Sequence, residues 1–487
     1  MAITFKPTPK RVSGTGTTGS TGTGTTGSTG TGSTGKNMTQ GSPFKLIFFY
    51  SIPLLIGNLV QQLYNMADTI IVGRLLGTAA LAAVGTTGPM NFLVLGFVTG
   101  LTAGFAVITA QQYGAKDTAA LKRSIAMNII LNVAFSVSMT VVALITTEPI
   151  LRLINTPTEI FADATVYIKI IYWGIGGIVL YNGTSCILRA LGDSKTPLYF
   201  LVASSVLNIV LDIVFILNFN MGVGGAALAT VISQTLAGLA TLIFMIVRYP
   251  LVRTTKKDYA WDSYFAWQHL KIGLPMAFQF SITAIGVVVL QGALNIFGAV
   301  KIAGYTAAQK VEQLTVGVAS TLGVTMANYT GQNLGAGDLN RIKQGTNIGT
   351  LLTVSFSVVS MAIAMVFAEP LSTLFIEQGE TEVIAASRQY LFITAPFYPF
   401  LFVIFIYRNV LQSLGRGFMP LMAGVFELVA RTVAAYTLPA IAEYAGICFA
   451  GPLAWIGAAV PLFISYTVII KRFKIGYTPH NATEETH

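Results

Sequence analysis

Two stretches of this 487-residue chain are variants of one motif: Thr109-Ala-Gln-Gln-Tyr-Gly-Ala-Lys-Asp117 and Thr330-Gly-Gln-Asn-Leu-Gly-Ala-Gly-Asp338. Three further pairs keep the same order and nearly the same spacing. Ile52-Pro53 matches Leu274-Pro275, Glu148-Pro149 matches Glu369-Pro370, and Leu191-Gly192…Pro197 matches Leu414-Gly415…Pro420, all at offsets of 221 to 223. Four ordered matches at one offset define an internal repeat, so the fold is two halves of one kind.

Composition says what each half is made of. The chain is 53% hydrophobic and 10% charged, with a mean hydropathy of +0.69; a soluble domain carries about 25% charged residues. From Ile47 onward, apolar runs recur that are long enough to cross a bilayer, each needing about 20 residues. The pattern predicts twelve, near 47–72, 82–106, 124–146, 165–187, 198–219, 224–247, 270–297, 303–328, 345–368, 389–412, 418–440 and 447–470. Six spans per half is an even number, so both repeats enter the membrane in the same sense. They are related by an axis along the membrane normal, with a cavity between them. The predicted fold class is therefore an all-α polytopic membrane protein, with 12 transmembrane helices in two six-helix pseudo-symmetric lobes, 43–248 and 270–473. Two such bundles rocking about a central site give alternating access.

The basic residues set the orientation. One side of the predicted topology holds Lys116, Lys122, Arg123, Arg189, Lys195, Arg248, Arg253, Lys256, Lys257, Lys271, Arg341, Lys343, Arg408, Arg416 and the C-terminal Lys471, Arg472 and Lys474. The other holds Arg74, Arg152, Lys169, Lys301, Lys310 and Arg388. The positive-inside rule makes the first side cytoplasmic and places both termini there. It also accounts for the net charge of +10 without a nucleic-acid partner. Residues 249–269 form a basic, aromatic inter-lobe loop (Trp261, Tyr264, Phe265, Trp267) suited to lie at the headgroups of membrane lipids. Residues 1–42, with a Gly/Ser/Thr repeat over Ser13–Gly35, are expected to be a disordered tail, and 474–487 a cytoplasmic tail. Cys186 and Cys448 lie in or beside apolar runs and read as core packing, and no histidine falls mid-membrane. No catalytic set is found, so no enzyme and no cofactor are expected.

The polar residues inside the spans carry the function. In Ser204–Thr230, SSVLNIVLDIVFILNFNMGVGGAALAT, Asn208 and Asp212 are one helical turn apart on one face, and Thr230 opens the next span after a glycine-rich turn. A carboxylate in hydrocarbon is costly and marks a functional site by default. Asp68 lies 15 residues past Pro53, and Asp212 lies 15 past Pro197, both roughly 22 Å along outward-running helices. Thr230 falls in the same outer part and Asn208 one turn deeper. Two carboxylates, an amide oxygen and a hydroxyl are hard oxygen ligands suited to Na⁺; two adjacent carboxylates can also carry a proton. A structural hydrogen-bond network is the bland alternative. Gln61, Asn182, Ser205 and Gln234 are candidate linings of a substrate cavity. In the second half, Glu312 lies beside Lys310, and Glu427 and Arg431 are spaced to pair within a helix. Counting from the paired prolines, Asn208 and Asp212 correspond to Arg431 and Ala435, so the repeat keeps its shape and loses the acidic site.

Over roughly residues 44–473 the chain resembles the multidrug and toxic compound extrusion (MATE) transporters, in their prokaryotic DinF-like branch. The likeness is carried by Gln61-Gln-Leu-Tyr-Asn-Met-Ala-Asp68-Thr-Ile-Ile-Val-Gly73, Asn208-x-x-x-Asp212, Gly225-Ala-Ala-Leu-Ala-Thr230 and the Gln-x-x-Gly-Ala-x-Asp loop in both halves. The resemblance implies two lobes around a V-shaped cavity and export of diverse, often cationic compounds against Na⁺ or H⁺. It implies a coupling-cation site at Asp68, Asn208, Asp212 and Thr230, and a multi-pass monomer in a bacterial or archaeal inner membrane. The NorM-like branch adds a span-7 carboxylate; here that segment has Gln279 and no acid, which favours coupling through the first lobe. A flippase for a lipid-linked saccharide is the alternative, kept open by Arg431.

Overall fold

The computed structural model describes residues 37–373 and 380–476. Among the described residues the structure is helical throughout, without strands. The first half comprises α1 (Pro43–Leu76), α2 (Thr78–Gly114), α3 (Thr118–Leu153), α4 (Thr158–Trp173), α5 (Ile175–Ala190), α6 (Lys195–Ile213) and α7 (Gly222–Arg248). The second comprises α8 (Ser263–Leu294), α9 (Gly298–Gly335), α10 (Leu339–Val366), α11 (Ala368–Thr373), α12 (Thr381–Thr394), α13 (Tyr398–Ser413), α14 (Phe418–Thr437), α15 (Pro439–Cys448) and α16 (Ala450–Gly476).

Ten helical stretches here are long and apolar enough to cross a membrane. One of them, Ser263–Gly335, is 73 residues long and as a single rod would measure about 110 Å. It is two passages, α8 and α9, divided by a 3₁₀ turn at Asn295–Phe297 and by Gly298 at φ 77°. Helices α4 and α5 meet at a 47° bend and make one broken passage, giving the twelve expected from hydropathy. At Gly174, where the bend falls, a Cβ would lie 2.2 Å from Val231 Cγ2, so glycine lets α7 come this close. One turn on, Gly177 does the same for Thr235.

The repeated motif closes one end of the molecule. Gly114 and Gly335 pack reciprocally across the lobes: a Cβ on Gly114 would lie 1.9 Å from the Gln332 carbonyl oxygen, and one on Gly335 1.8 Å from that of Gln111. The glutamine side chains cross as well. Gln111 Nε2 donates to Ser413 O and Gln332 Nε2 to Ala190 O, each at 2.8 Å. Position 116/337 takes a left-handed turn (Lys116 φ 57°, Gly337 φ 75°). The closing aspartates cap the next helices, Asp117 accepting from Ala120 N at 3.0 Å and Asp338 from Arg341 N at 2.9 Å. This end carries the loops rich in Lys and Arg and is called the basic end below.

The first half of α1 crosses between lobes. Ile47, Tyr50 and Leu54 lie in one buried cluster with Leu322, Met326 and Phe402, and Asn58 Nδ2 donates to Gly317 O and Thr321 Oγ1 (3.1 and 2.6 Å).

Several boundaries differ from expectation. Residues 37–42 are not tail: Met38 is 1% exposed, its N–H donates to Gln332 Oε1 at 2.9 Å, and Arg341 Nη2 and Asn333 Nδ2 donate to its carbonyl. The rest of the expected N-terminal tail, and residues 477–487, lie outside the described residues, while 474–476 continue α16. The inter-lobe connection ends at Asp262, not at residue 269. The Asp262 carboxylate accepts from Tyr264 N and Phe265 N and starts α8 at Ser263. Most of the basic residues assigned to connections lie within helices, Arg189 in α5 and Arg408 in α13 among them, and these two also line the inter-lobe cavity described below. The charge asymmetry survives without them.

Candidate functional site: a polar pair in an inter-lobe cavity

Away from the reciprocal Gly114–Gly335 and glutamine contacts at the basic end, together called the clasp, the lobes part around a cavity of about 720 Å³, within the range of pockets that enclose drug-sized ligands. Its walls come from both lobes, including Tyr64, Asp68, Tyr167, Phe280, Val324 and Phe405.

Asp68 lies on this wall, brought there by the outer half of α1. Asp212 stands behind it on α6, fully buried, and the two carboxyl groups are within hydrogen-bonding reach. Immediately after Asp212 the helix widens into a π-helical turn, Val214–Asn218. Such turns loosen the backbone ladder and recur at functional sites. Asn208 bridges to α7. With its amide nitrogen on the carboxylate it donates to Asp212 Oδ2 at 2.9 Å and accepts from Thr230 N at 3.1 Å; Thr230 Oγ1 is 3.4 Å from the amide. Asp68, Asn208, Asp212 and Thr230, drawn from α1, α6 and α7, therefore form one cluster.

The cluster is incompletely satisfied. Asp68 Oδ1 and Asp212 Oδ1 are buried and have no hydrogen-bond partner. Two touching carboxylates in apolar surroundings repel unless a proton or a cation lies between them. The orphaned oxygens are where either would bind. Among the described residues no three His, Cys, Asp or Glu side chains gather as a transition-metal site would. The hard-oxygen set fits a monovalent cation or a proton instead.

Of the residues expected to line the cavity, Gln61, Asn182 and Gln234 do so. Ser205 does not: it is buried and its hydroxyl donates to Leu201 O at 2.9 Å. Sequence reasoning passed over Tyr64, whose hydroxyl is 3.3 Å from Thr230 Oγ1. Tyr64 precedes Asp68 by four residues and shares its helix face, a signal that was present. Asn91 was missed too; it lines the cavity with a buried, unpartnered oxygen.

The second lobe has its own polar cluster. Glu427 accepts from Arg431 at 2.7 Å, as its spacing predicts, and also from Arg408 at 3.1 Å. Gln279, turned with its oxygen to the guanidinium, accepts from Arg408 Nε and Nη1 (3.2 and 3.0 Å). Glu312 pairs with the Tyr390 hydroxyl at 3.0 Å. Ala435 is buried in apolar packing and Arg431 faces Glu427, so no second copy of the Asp–Asn site exists here.

Two repeated lobes of membrane-crossing helices, clasped at one end around a cavity with a buried polar pair in its wall, define a membrane transporter and not an enzyme. The MatE family model matches residues 53–214 and 272–437. The chain belongs to that family. It is 31% identical over 405 residues to "Probable multidrug resistance protein YpnP" of Bacillus subtilis (strain 168), covering 83% of this chain and 89% of that protein. Its fold superposes on the structure titled "Outward-facing conformation of a multidrug resistance MATE family transporter of the MOP superfamily" with a TM-score of 0.86 at 25% identity, covering 91% of this chain and 99% of that one. It superposes equally on a MOP superfamily transporter from Pyrococcus furiosus (TM-score 0.85, 25% identity, 91% and 99% coverage), whose title reports a binding pocket of reverse polarity.

Proposed function

We propose that this protein is a secondary active antiporter that exports small organic compounds in exchange for Na⁺ or H⁺. The observation that carries the reading is the contact between Asp68 and Asp212 at the cavity wall, each with a buried oxygen left unsatisfied. The basic end is taken as cytoplasmic from its excess of Lys and Arg, so the conformation is closed inward and open outward. The outward-facing neighbour supports this conformation, and the first relative's name supports the export of organic compounds. The protein is read as a monomer in a bacterial or archaeal cytoplasmic membrane.

The cycle follows from differential affinity. A ligand shifts a two-state equilibrium only as far as it binds the states differently. In the outward-open state a cation or proton reaches Asp68 from the cavity and relieves its repulsion with Asp212. This lets the outer halves of α1, α6 and α7 draw together, narrowing the cavity and expelling the exported compound. The loaded protein then closes outward, the clasp opens, and the ion leaves inward as the next compound binds.

The test is dye efflux from proteoliposomes under an imposed Na⁺ gradient and, separately, a pH gradient, for wild type and Asp212→Asn. Export that follows one gradient and is lost in the variant is the expected result. Gradient-driven efflux retained by both Asp212→Asn and Asp68→Asn would sink the proposal.

A further inference from the structure

The residues just before α1 form a strap that is tied to the second lobe. The Met38 N–H donates to Gln332 Oε1 at 2.9 Å. The Met38 carbonyl accepts from Asn333 Nδ2 and Arg341 Nη2 at 3.2 and 3.1 Å. Arg341 Nη1 donates to the Gly41 carbonyl at 3.0 Å. Asn37 Oδ1 accepts from the Thr39 N–H at 2.9 Å, which curls the strap around Met38. The Met38 side chain is 1% exposed and belongs to the same buried cluster as Tyr329 and Leu414.

Gln332 is the strap's link to the clasp. Its Nε2 donates across the lobes to the Ala190 carbonyl at 2.8 Å. A glutamine amide has one accepting end and one donating end. The Ala190 carbonyl can be met only by the nitrogen, and the Met38 N–H only by the oxygen. The strap therefore selects the amide orientation that crosses between lobes. It also restrains a side chain that would otherwise lose rotamer freedom when the lobes meet, so the crossing bond forms at less entropic cost. Its polar partners Gln332, Asn333 and Arg341 all lie on the second lobe, so the hold on Gln332 does not itself span the gate.

This hold belongs to one copy of the repeat. At the offset of 221, Asn333 and Arg341 correspond to Gln112 and Ala120. An alanine side chain has no donor, so the first copy cannot secure a chain segment in the same way. Arg341 is itself fixed. Its Nε donates to Asn333 Oδ1 at 3.0 Å, its carbonyl accepts from the Tyr329 hydroxyl at 3.1 Å, and its guanidinium carbon lies 6.0 Å from the Tyr329 ring centroid. One guanidinium thus reaches a side-chain oxygen and two backbone oxygens, using the planar fork that lysine lacks.

We propose that Arg341 and Met38 are positioning residues of the inner gate: Arg341 holds the strap, the Met38 N–H orients the Gln332 amide, and the strap thereby sets how often the lobes part at the basic end. The proposal rests on the clasp being the inner gate of the exchange cycle. Without the strap, Gln332 Oε1 loses its partner, the amide turns, and one of the two crossed bonds is weakened. The loss of one such bond corresponds to about fivefold in the open-to-closed ratio.

The test follows single molecules of the full chain in lipid nanodiscs. Fluorophores sit on Ala119→Cys and Gln344→Cys after Cys186 and Cys448 are replaced. Both positions are exposed near the heads of α3 and α10, one on each lobe, and energy transfer between them reports each opening. Arg341→Gln is expected to raise the opening frequency about fivefold. Met38→Pro, which removes the N–H and leaves Arg341 in place, should do the same and carries the test if Arg341→Gln folds poorly. Gln332→Ala should match them, and adding Arg341→Gln to it should change nothing further, because both act through one bond. Arg341→Lys should recover only part of the effect. An unchanged opening frequency in Arg341→Gln and Met38→Pro overturns the proposal, even where the melting temperature falls, since the strap is then structural only. Full additivity of Arg341→Gln with Gln332→Ala overturns it as well. Dye efflux is measured on the same proteins: a wild type that opens and closes but exports no dye under either gradient overturns the antiporter reading and leaves the strap's control of opening standing.

Discussion

Gly114→Ala adds one methyl group at the contact that holds the lobes together. The new Cβ would stand 1.9 Å from the Gln332 carbonyl oxygen, where real contacts do not fall below 3.0 Å. The lobes must therefore separate locally by about 1 Å. The crossed amide bonds Gln111–Ser413 and Gln332–Ala190, both 2.8 Å, would stretch to about 3.8 Å, past hydrogen-bonding range. Losing two such bonds costs about 2 kcal/mol, and residual overpacking adds about 1–3 kcal/mol. A penalty of about 3 kcal/mol or more, confined to the conformation closed at the basic end, shifts its population about a hundredfold or more toward the other conformation. Nitroxide labels on Ala119→Cys and Asn340→Cys, both exposed at the heads of α3 and α10, report the separation by pulsed electron resonance once Cys186 and Cys448 are replaced. The distance distribution is expected to move to a longer, separated population. If the variant's distribution superimposes on that of the parent and dye efflux is unchanged, the reciprocal glycine contact is not what closes this end.

Other predictions concern single contacts. Glu427→Gln strands Arg408 and Arg431 in a site where these side chains are about one-tenth exposed; stability should fall by about 3–5 kcal/mol, visible as a lowered melting temperature in detergent. Glu148→Gln removes a pair with Lys169 whose side chains are 44% and 37% exposed, and the variant should melt within a few degrees of the parent because water and salt screen such a pair. Lys116→Gly relieves a left-handed residue at φ 57° and should gain up to about 1 kcal/mol, measured in the same assay. Asp258 accepts from both Thr255 N and Thr255 Oγ1, which holds its carboxyl below the usual 3.8. Its capping contact is thus present above that pH and lost as pH falls through the lowered value, and hydrogen exchange at the Thr255 amide should accelerate only below about pH 4.

The architecture was legible because it is written in spacing. Apolar run length gave the passages, and a constant offset gave the two lobes. The Asp68–Asp212 pairing was legible because equal counts from Pro53 and Pro197 put two carboxylates at one depth, and the structure brings them together. Depth says nothing about which face a side chain presents, and this misplaced Ser205, whose neighbour Ser204 is equally buried. Arg189 and Arg408 were read as loop charges because each sits near the end of an apolar run, where hydropathy cannot separate a snorkelling cation from one turned inward. Only Glu427, four residues before Arg431 in sequence and nineteen after Arg408, shows that Arg408 belongs inside. The need for glycine at position 174 was hidden for a related reason: the side chain its Cβ would meet is Val231, on α7.

The two halves agree where the molecule must close and differ where it must bind. The clasp obeys the repeat closely: Gln111 and Gln332 are equivalent, and so are their acceptors, Ser413 and Ala190, at an offset of 223. Each lobe thus supplies one donor and one acceptor to the other, and neither half can form the contact alone. The buried polar groups obey no such rule. Asn208 and Asp212 correspond to Arg431 and Ala435 by the repeat. A gate between lobes that rock about a shared axis needs matched surfaces, so the repeat persists there. A coupling site needs one cluster of opposed carboxylates, and a second copy would double the charge to be neutralised in each cycle.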